Sequence, residues 1–475
     1  MTIQRFHDEI NDQYSYLITE HGEAIAVDPS RNVHRYLEYL NEHKLRLVGI
    51  ALTHRPASFA SGWAELREKT HATLIAASTY RFHGEGKFVE AGRATMFPFG
   101  DGSHLQTQPT PGFTADSICL LAIDSSHSVH GIFTGGALLY DGVGYPLPRP
   151  ADKNPLHGRK TYVKEMYTSL TKKISGFAPK ATIYAGFGED AHFSKMANSR
   201  HAQFNLTEAV NESPVFNQKD ESAFEGWVLK DYPYVPAYVS GCQEKNQDGF
   251  QSWAMALQPF FELLPEEERG EALKLPGEVR PASPQKLLLD GEEVLLIDTR
   301  DSDDFATGHT PGAINIQSNG PFALALGSVV KPNEVFHVII DDKEKTFGIA
   351  QGIAKIGYDQ QLHGADMWAE SRDTILPKAL NLKDFKENHV GNYTIIDVRS
   401  AEAAQEDTRF YGAINIPYWE IRDRAGEVPL DRPIVVHCGD GFASAIGASV
   451  LQREIGDRIA VYDLGKSIKK FKAGR

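Results

Sequence analysis

Two short stretches of this chain hold residue types that could do chemistry. In IVVHCGDGFAS, Cys438 ends an apolar run and is followed by Gly439, Asp440, Gly441, Phe442, Ala443 and Ser444. A thiol at a strand end, in a glycine-bearing loop that opens a helix, is met by backbone N–H groups and by the positive end of that helix. Both favour the thiolate, which is a nucleophile. Gly439 and Gly441 permit the positive φ angles that aim several N–H groups at one point. In LTHRPASFASG, His54 lies between the apolar run LRLVGIAL and the segment WAELREK. That reads as strand, loop, helix, the place where α/β proteins put ligands, and an imidazole there could bind a metal if partners came from elsewhere.

The elements that must position these residues follow from periodicity. YSYLITE and EAIAVDPS read as strands, and Val33, Tyr36, Leu37 and Leu40 mark one helix face. ATLIAAS, SICLLAI and GIFTGGALL read as further strands, and TYVKEMYTSLTKKI as an amphipathic helix before the strand ATIYAGF. Residues 1–260 therefore form one α/β domain. In 261–284, acidic residues and prolines replace periodic apolar ones, as in a surface linker.

Beyond the linker the chain repeats itself. VLLIDTRDSDDFATGHTPGAINI is answered by YTIIDVRSAEAAQEDTRFYGAINI, with Asp298 and Asp397 99 residues apart and Gly312 and Gly412 100 apart. The repeat predicts two small doubly wound α/β domains, 285–378 and 379–475, whose central parallel strands are HVIID and PIVVHC. The first copy has no cysteine, and HVIIDDKEKTFG puts Asp341 or a neighbour where Cys438 stands in the second. Asp298 with Arg300, and Asp397 with Arg399, read as charges that hold the fold.

Composition narrows the functions. The formal charge of -14 over 475 residues argues against nucleic acid or an anionic membrane as partner. No apolar run approaches the roughly 18 residues of a membrane span, and MTIQRFHDEIND is too polar for a signal peptide, so a cytoplasmic location is the default expectation. Three cysteines without a CxxC pair supply neither a disulfide framework nor a thiolate zinc site. Cys119 reads as a buried apolar residue, Cys242 has no motif around it, and His127 with His130 marks a polar turn.

With these residues in hand, 285–475 resembles two tandem copies of the rhodanese family of sulfurtransferases. The Asp-x-Arg, Gly-Ala-Ile-Asn-Ile and Cys438 loop segments carry the resemblance. It implies that Cys438 takes a sulfane sulfur as a persulfide, that Gly439 to Ser444 cradle the substrate, and that a sulfane-sulfur donor and a thiol acceptor are the partners. Ala443 stands where the family usually has an arginine, and Asp440 adds negative charge. The lost charge-assisted bond is worth about 1.5–3 kcal/mol, so thiosulfate should be a poor donor.

Residues 1–255 resemble the metallo-β-lactamase fold, an αββα sandwich, and within it the persulfide dioxygenase branch found fused to rhodanese domains. SYLI, EAIAVDPSR, LTH, TPGFT, IFTGGALLYDGVGYP, IYAGFG and PAYVSGCQEKNQDG carry this in order. The family's metal ligands fall on His54, Pro56, Ser58, Phe59, Phe113, Gly136 and Phe187, of which only His54 retains a ligating side chain of the family's kind. The resemblance implies iron or zinc. These residues imply none, and Asp116, Glu189, Asp190 and His192 have no spacing that rebuilds a site. The expectation is a sulfur-handling protein with Cys438 as its carrier and a metal-free first domain. The alternatives are a non-catalytic scaffold or sensor, and an active iron dioxygenase or zinc hydrolase, which the missing ligands oppose. Assembly into a homo-oligomer is left open.

Overall fold

The computed structural model describes residues 1–475 apart from 78–87, 93–94, 101, 148–154, 196–202, 266–268, 270–287, 290–291, 370–373 and 472–475. Most of the expected linker therefore lies outside the described residues. The chain falls into two compact units. Met1–Val235, Val239–Trp253 and Ala354–Gly357 make the first, and Pro236–Tyr238, Ala254–Ile353 and Tyr358–Arg475 the second.

Two six-stranded sheets build the first unit. One runs Thr2–Asp8, Gln13–Glu20, Glu23–Val27, Arg46–Ala51, Thr73–Ala77, Phe88–Ala91, antiparallel over its first three strands and parallel thereafter. The other runs Gln203–Asn205, Thr182–Ala185, Val129–Gly135, Ile118–Ile123, His104–Pro109, Met96–Pro98. Strand side chains alternate faces, and here both faces are apolar because the sheets form the middle of a four-layer sandwich. Tyr16, Ile18, Ile25 and Val27 meet Leu120, Ala122 and Phe133 between the sheets. Leu17, Ala24, Ala26 and Ile50 face outward onto Tyr36 and Leu40 of the helix His34–Glu42 and Trp63 and Leu66 of the helix Trp63–Thr70. The helix Pro155–Lys172 buries Val163, Met166 and Leu170.

The expected strand GIFTGGALL stops at Gly135. There φ turns to +54°, and a Cβ would stand 2.3 Å from the Thr53 hydroxyl. Only glycine allows this approach, which brings the following turn against the His54 loop. His127 lies in a polar turn, in which Asp124 Oδ1 accepts from the Ser126 and Ser128 N–H groups at 2.9 Å, whereas His130 has already entered the strand Val129–Gly135.

Two four-stranded parallel sheets build the second unit, in the orders Ile314–Asn315, Leu295–Asp298, Phe336–Ile340, Leu362–Met367 and Ile414–Asn415, Thr394–Asp397, Ile434–His437, Val461–Asp463. The repeats share one brace. Arg300 Nη2 donates to Asp298 at 2.8 Å and to the Gly308 carbonyl at 2.8 Å, while Asn315 Nδ2 donates to the carbonyls of Asp298 and Arg300. Arg399, Asp397, the Asp407 carbonyl and Asn415 repeat the pattern. The register narrows the expectation of Asp341 or a neighbour. Asp298 pairs with Ile339 and Asp397 with His437, so the counterpart of Cys438 is that neighbour, the fully buried Ile340.

Candidate functional site

Around His54 the polar atoms form a short chain. Asp28 accepts from the Thr53 N–H at 2.8 Å and from the Thr53 hydroxyl at 2.6 Å, and Thr53 Oγ1 lies 2.8 Å from His54 Nδ1. The threonine has one proton, given to the carboxylate, so Nδ1 carries the hydrogen and donates to it. Nε2 is then a bare lone pair, buried and without a hydrogen-bond partner among the described residues. Burial lowers the His54 pKa against the opposing pull of Asp28 and Asp116, and burial raises that of Asp28. A neutral imidazole with its Nε2 lone pair free is how a histidine presents itself to a metal.

What surrounds that lone pair is aromatic. The rings of Phe113, Phe187 and Phe59 lie 5.0, 5.8 and 6.3 Å from the imidazole, centre to centre. Phe113 also fills the space beside Gly136, where a Cβ would come within 2.5–2.7 Å of its ring. Ser58 is buried, and the Pro56 carbonyl, like that of Phe59, accepts from Asn246 Nδ2. Asp116 is taken up by the Thr114 hydroxyl and the Arg55 N–H, and His192 Nε2 by the Tyr234 carbonyl. No group of three metal-ligating side chains occurs among the described residues. One imidazole among three phenyl rings does not fit iron or zinc, which need three or four protein ligands or open water sites beside them.

Cys438 stands between the strand Ile434–His437 and the helix Phe442–Ile455. Gly441, at φ +109°, donates its N–H to Sγ at 3.1 Å, and Asp440 Oδ1 lies 3.5 Å from the sulfur. Residues Gly439 and Asp440 are exposed, Phe442 and Ala443 are half-buried, and Gly441 and Ser444 are buried. Cys438 itself is only 2% exposed, so little of its sulfur is open to a reagent. The expectation of a favoured thiolate is corrected here. Burial raises the thiol pKa, and the Ser444 hydroxyl and the N–H groups of Asp440, Gly441 and Ser444 oppose that without reversing it. Arg399 is bound to Asp397 by both carboxylate oxygens. The helix after Cys438 is buried on almost every side, because the first repeat covers it: Ser449 Oγ accepts the Asn315 N–H at 3.0 Å and Arg453 donates to the Gly312 carbonyl at 2.8 Å.

Comparison with known proteins bears on both regions. Residues 282–363 and 381–473 match the family described as rhodanese-like domain. A solved metallo-β-lactamase from Staphylococcus aureus superposes with a TM-score of 0.62 at 22% identity, covering 77% of this chain and 99% of that one. The chain is a fusion of a metallo-β-lactamase fold with two rhodanese-like domains. Among curated relatives, a hydroxyacylglutathione hydrolase of Methylobacillus flagellatus is 32% identical over 107 residues, 22% of this chain and 42% of its own. A probable zinc-dependent hydrolase of polyketide biosynthesis from Bacillus velezensis is 26% identical over 196 residues, 39% of this chain and 78% of its own. The chain thus spans less than half the length of the first of these.

Within the fusion, the structure brings His54, Phe59, Phe113, Gly136 and Phe187 together at one place, and Cys438 to Ser444 at another. Sequence reading missed Asp28 and Thr53, which set the His54 tautomer, although DPSR and LTH both flank strand ends. It also missed Asn246, fully buried, whose side chain accepts the Ser61 N–H at 2.8 Å and so pins the loop. Lys355 was equally invisible. Its ammonium reaches Asp8 at 2.7 Å and Gln13 at 2.5 Å, and lies 4.8 Å from the centre of the Phe59 ring.

Proposed function

We propose that the protein is a sulfurtransferase in which Cys438 is the sulfur carrier and the metallo-β-lactamase-like domain holds no metal. The observation that carries this is the pairing of Cys438 with a loop N–H donor in one rhodanese-like domain and of buried Ile340 with the same register in the other. The Cys438 thiolate attacks the outer sulfur of a persulfide, R–S–SH. The bond between the two donor sulfurs breaks, a new bond to Sγ forms, and the thiolate RS⁻ leaves and takes up a proton. An acceptor thiolate then attacks the carried sulfur and Cys438 leaves as thiolate. No net oxidation occurs in either step. The N–H groups of the loop steady the anionic sulfur in each step. With full-length protein, a persulfide donor and excess thiol, sulfane sulfur should reach the acceptor. Cys438→Ser should abolish the transfer while Cys119→Ser leaves it intact; equal transfer by Cys438→Ser would refute the assignment.

The second reading, a non-catalytic scaffold or sensor, is favoured by the burial of Cys438 and by the upward pull of that burial on its pKa. In that case the same assay shows no transfer above the rate without protein.

A further inference from the structure

The carboxylates at the rim of the Cys438 loop point to a substrate of defined charge. We infer that this site exchanges sulfur with thiols bearing an ammonium group, and discriminates against anionic sulfur compounds; this rests on the reading of Cys438 as a carrier. Asp440 is exposed and its Oδ1 stands 3.5 Å from Sγ, so a donor entering past the loop meets a negative charge first. Opposite, the Lys466 backbone nitrogen lies 2.9 Å from where a Gly441 Cβ would be, which sets that turn against the loop. The Lys466 ammonium in turn lies 2.7 Å from Asp303 of the first repeat. This brings the helix Ser302–Phe305, with Asp301 before it and exposed Asp303 and Asp304 on it, to the same rim. The two repeats are also locked there by the Phe442 ring, which approaches Gly320 so closely that a Cβ would be 2.4 Å from it.

The charges at this rim do not cancel. Lys466 pairs with Asp303 and Arg399 with Asp397, whereas Asp301, Asp304 and Asp440 make no ion pair among the described residues. An ammonium three bonds from the donor's inner sulfur and four from the sulfur transferred is attracted by these groups, and a carboxylate or sulfonate in its place is repelled. Charged clefts of this kind change encounter rates by tenfold or more at low ionic strength.

The test compares three persulfides on one scaffold with full-length protein: those of cysteamine, N-acetylcysteamine and mercaptopropionate, whose substituents are cationic, neutral and anionic. Loading is followed by intact mass, and each rate is divided by the rate at which the same persulfide passes its outer sulfur to a small neutral thiol in free solution. The cation should load about tenfold faster than the anion at low salt, with the gap closing in about 0.5 M salt. In the double variant Asp303→Asn, Asp440→Asn it should shrink to within about twofold. Equal or faster loading by the anion, or an unchanged gap in the variant, overturns the charge preference while Cys438 stands as carrier. No loading by any of the three overturns the carrier reading, and the preference with it.

Discussion

Phe113 and Gly136 occupy one volume. A methyl group at 136 would overlap the Phe113 ring at 2.5–2.7 Å, so the ring is tolerated because glycine is there. Gly136→Ala should cost about 1–3 kcal/mol by overpacking. Phe113→Ala should cost about 3–5 kcal/mol by leaving a cavity. The double variant should lose less than the sum, with a coupling of about 0.5–3 kcal/mol in urea unfolding; strict additivity would show that the two sites do not share the space. Cys438 offers a second residue-scale test. A pKa raised by burial leaves less thiolate at neutral pH, so its alkylation rate should keep climbing beyond the ordinary thiol range of about 8.5. A plateau below that range would contradict the burial argument. Cys119, pushed up to about 12 by burial, should stay unreacted in the native protein throughout.

Strand, turn and helix decide what those residues can do. In each repeat an asparagine and an arginine tie the Asp-x-Arg turn to the segment after it, and this brace sets where the next central strand ends. His309 belongs to the same turn in the first repeat. It stacks on Phe305 at 3.8 Å and is buried, and burial lowers its pKa to about 4. Unfolded histidine titrates near 6.5, so the unfolded chain takes up a proton that the native chain refuses as pH falls from 6.5 towards 4. Stability is thus full above pH 6.5 and declines below it, by about 2 kcal/mol from this group at pH 5. His309→Gln should flatten that part of the pH dependence in urea titrations at pH 7 and 5, and an unchanged slope would remove His309 as its cause.

Much of this element-scale picture was legible. Period-two strands, the helix marked by Tyr36 and Leu40, and the two Asp-x-Arg segments give the architecture because burial enforces periodicity. What was not legible depends on distances that no spacing encodes. Strand register makes Ile340 the counterpart of Cys438, the burial of the Cys438 thiol outweighs the groups that hydrogen-bond to it, and Asn246 pins a loop 185 residues away.

On the scale of the whole molecule, two kinds of fold that could each carry a site are joined, and the function proposed above uses one of them. No helix among the described residues is long and apolar enough to cross a membrane. The His54 pocket keeps a ligand-like tautomer without ligand partners, and the first rhodanese-like domain keeps its brace while covering the helix that carries Cys438. The central claim is that chemistry has moved from the metal pocket to the thiol. Native mass spectrometry of the full-length protein after incubation with a persulfide donor reads both halves of it at once. The account predicts a species heavier by one sulfur, lost in Cys438→Ser, with no iron or zinc adduct before or after loading. A near-stoichiometric metal adduct, or a sulfur adduct that survives in Cys438→Ser, would contradict it.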